Sequence, residues 1–185
     1  MKKVNVVKVA MLGVLSALAV VLMFFVRFPI LPIVPFMEYD PGDVVGLIAG
    51  FLYGPVEGLI VIIIVALIQG MTVSAGSGWV GIAMHIIASG SYVFVASFVY
   101  KKIHTRKGAL IALIVSSLCM TLVMIPANLF FTVKFWGFPK QQVVDLLLPG
   151  IIPFNLIKAV INSVTTFLIY KPISRMFDII YARNR

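Results

Sequence analysis

Apolar residues in this chain form long unbroken runs, and most polar residues gather between them. A membrane-crossing helix needs about 20 largely apolar residues, and residues 9–26, 79–100, 108–133 and 146–170 meet that length, the last interrupted only by Lys158. Breakers divide the stretch between the first two runs into 43–53, the dipeptide Gly54-Pro55, 56–70 and a small-residue loop over 71–78. Asp43 after Pro41-Gly42 reads as a helix N-cap, and Gly54-Pro55 as a turn.

Segment 43–53 is short enough to re-enter the membrane without crossing it. Charge decides its path. Cations cluster at Lys2, Lys3 and Lys8, at Lys101, Lys102, Arg106 and Lys107, and at Lys171, Arg175, Arg183 and Arg185, and such clusters stay cytoplasmic. An even number of crossings must separate the first two clusters, so the short segment has to cross. The expectation is an all-α integral membrane protein with six transmembrane helices, both termini cytoplasmic, and one membrane-embedded domain over residues 1–185. Loops 35–43, 71–78 and 134–145 then lie outside.

Composition agrees with this reading. Of 185 residues, 62% are hydrophobic and 11% charged, and the mean hydropathy is +1.13, too apolar for a soluble core of ordinary proportions. The first run exceeds a signal-peptide core and lacks a small-residue cleavage site, so it reads as a retained helix. The formal charge of +9 sits beside the spans, which is a topology signal and leaves no nucleic-acid partner in view. Cys119 is single, so there is no disulfide framework, and it reads as a packing residue.

Polar side chains inside spans are costly and therefore informative. Gln69, His85, Asn128, Asn155 and Lys158 all fall in the outer half by this topology. Asn155, Lys158 and Asn162 share one face of the last helix, and Pro126 can free carbonyls beside Asn128. An outward polar pocket accounts for them together. Taken singly, the asparagines also serve as interhelical glue, His85 as a packing residue and Gln69 as an interfacial one. Lys158 asks more strongly for a partner or a watery site.

The chain lacks G-x-x-x-x-G-K-[ST] and H-E-x-x-H motifs, so neither P-loop hydrolysis nor a zinc site is expected. Ser77 in Ser74-Ala75-Gly76-Ser77-Gly78, followed by His85, outlines a membrane hydrolase only superficially, since no oxyanion hole is implied. Carboxylates for a proton relay inside the spans are not expected, and Glu57 reads as a boundary charge. A pocket without a motor points to a binding subunit driven by other proteins; a self-sufficient oligomeric carrier is the alternative.

Three stretches carry a resemblance across the chain: 36–44 leading to 54–58, 81–89, and Pro153-Phe154-Asn155-Leu156-Ile157-Lys158. The sequence resembles the S components of energy-coupling factor (ECF) vitamin transporters, most closely those specific for riboflavin. The resemblance implies a non-enzymatic subunit in a prokaryotic plasma membrane that captures riboflavin, with FMN a further candidate ligand and another vitamin the alternative. It implies a transmembrane coupling subunit and two cytoplasmic ATPases as partners, with no resident cofactor. Asn128, Asn155 and Lys158 match family positions that contact the vitamin. Glu38 and Tyr39 lie in a first outer loop that covers the pocket, and the aromatic residues read as near the outer face, Phe36, Tyr39, Trp79 and Tyr92, are candidates for stacking on the ring. Ala10, Gly13 and Ala17 on the first helix match a small-residue partner-docking face, or else serve packing within the bundle. The nine residues 35–43 hold three of the six acids; they read as a lid, or simply as a solvated loop.

Overall fold

The computed structural model describes the backbone of residues 6–183 and the side chains of residues 6–174. The cationic positions Lys2, Lys3 and Arg185, and the side chains of Arg175 and Arg183, lie outside the described residues. The elements are α1 (Val6–Phe25), a hairpin of β1 (Phe28–Pro29) and β2 (Glu38–Tyr39), α2 (Gly42–Tyr53), α3 (Pro55–Met71), α4 (Gly78–Lys102), α5 (Arg106–Ala127), α6 (Lys140–Leu146) and α7 (Ile152–Arg183). A 3-10 turn over Ala75–Ser77 leads into α4. A π turn, Asn128–Thr132, extends α5, and another, Leu147–Ile151, joins α6 to α7.

Four of the resulting rods are long and apolar enough to cross a membrane; α2 and α3 are shorter. The loop expected over 134–145 is revised, because α6 begins at Lys140 and runs into α7. Its polar sequence resembled a loop, yet Gln141 donates to Asp145 at 2.8 Å, one helical turn on.

The helices turn apolar side chains outward as well as inward. Val14, Leu18 and Val21 of α1 and Leu118 and Leu122 of α5 are exposed, as a lipid environment permits. Leu15, Ala19 and Met23 pack with Val45, Ala49, Val61 and Val65 to join α1 to α2 and α3. A second cluster, including Leu47, Phe51, Tyr92, Val93, Leu113 and Met120, fills the space among α2, α4 and α5.

Two glycines shape the short pair. Gly54 has φ +123°, a conformation only glycine adopts readily, and Pro55 opens α3, where its missing N–H is no loss. The turn there is as read from sequence. Gly58 packs so tightly that a Cβ would sit 2.9 Å from the Gly46 carbonyl oxygen and 2.9 Å from the Gly50 Cα. Backbone cannot yield as a side-chain tip can. Replacing Gly58 with Val is therefore expected to destabilise the fold by about 1–3 kcal/mol, read as a lowered melting temperature in detergent, despite valine's better helix propensity.

At 1.5 Å per residue, the 12 residues of α2 span about 18 Å, well short of a hydrocarbon core of about 30 Å. The chain entering α2 thus starts below one surface of the bundle. Tyr39, Asp40 and Gly42 fill the gap that remains and are buried, while Phe28 and Pro29 of the first strand stay exposed.

Candidate ligand-binding site

A cavity of about 170 Å³ lies under the hairpin, bordered by Gln69, His85, Asn128, Asn155 and Lys158. The five polar residues placed in one half of the bundle by sequence thus meet around one space. A neighbouring cavity of about 420 Å³ shares Phe36, Ser77, Asn128 and Trp136 with it. Together they fall within the roughly 300–1,000 Å³ typical of small-molecule pockets.

Lys158 is nearly inaccessible, and its Nζ lies 3.2 Å from Asp40 Oδ2 and 3.4 Å from Asp43 Oδ2. Burying an ion costs several kcal/mol unless partners and hydrogen bonds compensate. Here the bonds continue outward from the ions. Asn162 donates to Asp43 Oδ2 at 3.2 Å, and the Tyr39 hydroxyl donates to Asn162 Oδ1 at 3.0 Å. Burial raises the Tyr39 phenol above its ordinary pKa, which keeps that proton in place. Asp40 Oδ1 accepts the Gly42 N–H at 3.0 Å. His85 Nε2 stands 3.8 Å from Asp43 Oδ1, and neither atom has a hydrogen-bond partner among the described residues.

These contacts revise three expectations. Asp43 does not cap α2, whose N-cap is Pro41 without a side-chain bond. A carboxylate does stand inside a span. The acids of the hairpin region are not a solvated set either, since Asp40 and Asp43 are buried and Glu38 pairs with Arg27 across the hairpin.

Both asparagines are held at places where the helix widens. Pro126 interrupts α5 just before the π turn that begins at Asn128, and such turns recur at functional sites. Asn128 donates from Nδ2 to the Met124 carbonyl at 2.8 Å, and its Oδ1 accepts from Thr132 at 3.3 Å. Asn155 donates to the carbonyl of Ile151, in the second π turn, at 2.8 Å. Each amide keeps a second N–H, and Asn155 keeps its oxygen, for another partner. Met84, Met120 and Met124 complete the wall with polarisable, adaptable side chains.

The sequence profile described as "ECF transporter, substrate-specific component" matches residues 7–170. The chain belongs to this family. Among relatives of this S component, the riboflavin transporter RibU of Staphylococcus aureus (strain TCH60) is 31% identical over 142 residues, covering 74% of each chain. The riboflavin transporter FmnP of Bacillus subtilis (strain 168) is 29% identical over 143 residues, 73% of this chain and 75% of that one. A solved structure, described as "Structure and mechanism of the S component of a bacterial ECF transporter", superposes with a TM-score of 0.80 at 31% identity. It covers 92% of this chain, and the match covers 96% of its own. The S component is accordingly a multi-pass protein of a prokaryotic plasma membrane.

In this S component, Phe36 and Glu38 border the cavity with the five polar residues, whereas three candidates are placed elsewhere. Tyr92 is not near the outer face: it is fully buried in α4, where its hydroxyl donates to the Ala159 carbonyl at 3.0 Å and meets Ser163 Oγ at 2.7 Å. Trp79 packs edge-on against Phe135 at 4.8 Å and does not border the cavity. Tyr39 points its hydroxyl at Asn162 instead of the cavity. Ala10, Gly13 and Ala17 are exposed on α1, and a Cβ on Gly13 would touch nothing within 4 Å, so internal packing does not explain them. Ser77 and His85 both border the cavity, with no hydrogen bond between them among the described residues. Cys119 is half-buried.

Sequence reasoning missed Arg27, Asp40, Trp136 and the methionines. Lys158 signalled that some acid must meet it, but the linear pattern does not say that Asp40 and Asp43 are the ones.

Replacing Lys158 with Met should destabilise the fold by about 3–5 kcal/mol, because two buried carboxylates lose their counter-ion. Adding Asp43→Asn to that variant should restore part of the loss. Thermal melts in a double-mutant cycle measure the coupling, and simple additivity would refute the shared network.

Proposed function

We propose that this chain captures riboflavin from the outer side of the membrane and passes it to a transmembrane coupling subunit powered by two cytoplasmic ATPases. The observation that carries the reading is the joining of two half-committed amides, a buried ammonium and a methionine wall in one cavity, in a chain whose relatives are riboflavin transporters. The flavin ring offers an apolar body and an amide-like edge. Asn128 and Asn155 supply the remaining donors and an acceptor for such an edge, the thioethers suit its faces, and the third N–H of Lys158 suits a carbonyl or hydroxyl.

Orientation follows from charge. The cavity end carries the Arg27–Glu38 pair and the buried acids, while Lys101, Lys102, Arg106, Lys107 and Lys171 lie toward the other end, which is cytoplasmic by the positive-inside rule. Both termini then lie in the cytoplasm and the cavity opens outward. The exposed small residues of α1 are the face for the coupling subunit.

Purified protein should bind riboflavin and quench its fluorescence. Asn155→Ala and Lys158→Met should each weaken binding by about 1–3 kcal/mol, roughly 5- to 150-fold. No affinity at micromolar riboflavin would overturn the proposal, and uptake by this chain alone in proteoliposomes would favour the self-sufficient carrier.

Arg27 and Glu38 join the start of the hairpin to its second strand above the cavity. Glu38→Gln and Arg27→Met should each accelerate riboflavin release several-fold in stopped-flow experiments, with no further gain when combined. Unchanged release in both would remove the pair from the lid.

A further inference from the structure

The end of the bundle opposite the hairpin holds a cavity of about 610 Å³ bordered by residues of α2, α4, α5 and α7. Its floor is aromatic. Phe51 stacks on Tyr100 with ring centroids 4.4 Å apart and meets Tyr170 edge-on at 5.2 Å, while the two tyrosine hydroxyls hydrogen-bond at 2.9 Å. Its rim carries Arg106 and Lys171. Neither cation has a carboxylate partner among the described residues: Glu38, Asp40 and Asp43 belong to the hairpin side, Asp145 to α6, and Glu57 is held by Lys8.

From this cavity a groove of about 370 Å³ runs along α5 and α7. The two spaces share Phe167 and Leu168 in their walls, so they adjoin. The lining of the groove is apolar except for Ser117 and Ser163. Both hydroxyls are already engaged, Ser117 with the Leu113 carbonyl at 2.7 Å and Ser163 with Tyr92 at 2.7 Å. An occupant of the groove therefore meets hydrocarbon.

We propose that the cavity and groove form one site for an anionic phospholipid, with its phosphate between Arg106 and Lys171 and an acyl chain along α5 and α7. A guanidinium and an ammonium suit a phosphate, and Arg106 opens α5, where the helix dipole also favours an anion. A soluble anion would leave the groove unexplained, and an uncharged lipid would leave the cations unexplained. A zwitterionic headgroup brings its own ammonium toward two cations and is the weaker fit. Basic pockets between helices on the cytoplasmic side suit acidic headgroups, which are enriched in that leaflet. The site does not depend on which vitamin occupies the cavity at the other end.

Native mass spectrometry of the full chain, equilibrated with equal phosphatidylglycerol and phosphatidylcholine, tests the site. One phosphatidylglycerol should be retained per chain, with roughly tenfold preference over phosphatidylcholine. The variant Arg106→Gln/Lys171→Gln should lose the preference. Val164→Trp, at an exposed groove position, should lose retention of both lipids with the cations intact. Unchanged helical circular dichroism in both variants reports the fold. Equal retention of the two lipids by the unaltered chain, or an undiminished preference in the double variant, would overturn the proposal. Thermal protection by inorganic phosphate equal to that by phosphatidylglycerol would assign the cations to a soluble anion instead. Undiminished lipid retention with weakened capture of the coupling subunit would assign the cavity to a protein partner.

Discussion

The ammonium of Lys158, buried between Asp40 and Asp43, is the contact on which the cavity half of the bundle depends. A single charge at that depth would be intolerable, and a bare ion pair only marginal. The cost is met by extending the pair through Asn162 and Tyr39 and back to the Gly42 backbone. Those bonds join the second strand of the hairpin and the start of α2 to the first half of α7, more than a hundred residues further along the chain. The shortness of α2 makes the arrangement possible. A helix long enough to cross fully would have carried Asp40 and Asp43 to the surface, leaving Lys158 without a counter-ion.

The spans were legible because apolar run length is a direct requirement of the bilayer, and the convergence of Gln69, His85, Asn128, Asn155 and Lys158 followed from depth alone. The partners of Lys158 were not legible. Asp43 satisfied a local reading as a helix cap and Asp40 as a loop acid, and nothing in a linear pattern shows that both fold inward onto α7. Tyr92 was misplaced for a related reason: as the fifteenth residue of a 25-residue helix, it lies about 21 Å along the axis, far from the surface assigned to it. Methionines vanish among other apolar residues in a span, so the wall they form is visible only once the helices are assembled. The continuity of α6 with α7 was hidden by Lys140, Gln141, Gln142 and Asp145, whose polarity read as an outer loop although the helix they form runs through a π turn into α7.

The two ends of the bundle meet charge in opposite ways. Near the hairpin Arg27 and Lys158, the two cations that border the cavity, are matched to carboxylates, so a neutral polar ligand meets balanced groups. At the other end Arg106 and Lys171 face a cavity with no such match, and they rely on the membrane to supply the negative charge. Apolar side chains between the two ends keep these chemistries apart.

The hairpin is fixed at its base by buried ions and along its connecting loop by Val34, which is fully buried, while Phe36 beside the second strand remains exposed. A cover of this kind has little conformational freedom left to lose when a ligand arrives, so ordering consumes little of the contact energy. Its effect falls on residence time: a ligand held beneath a cover anchored at both base and loop leaves slowly.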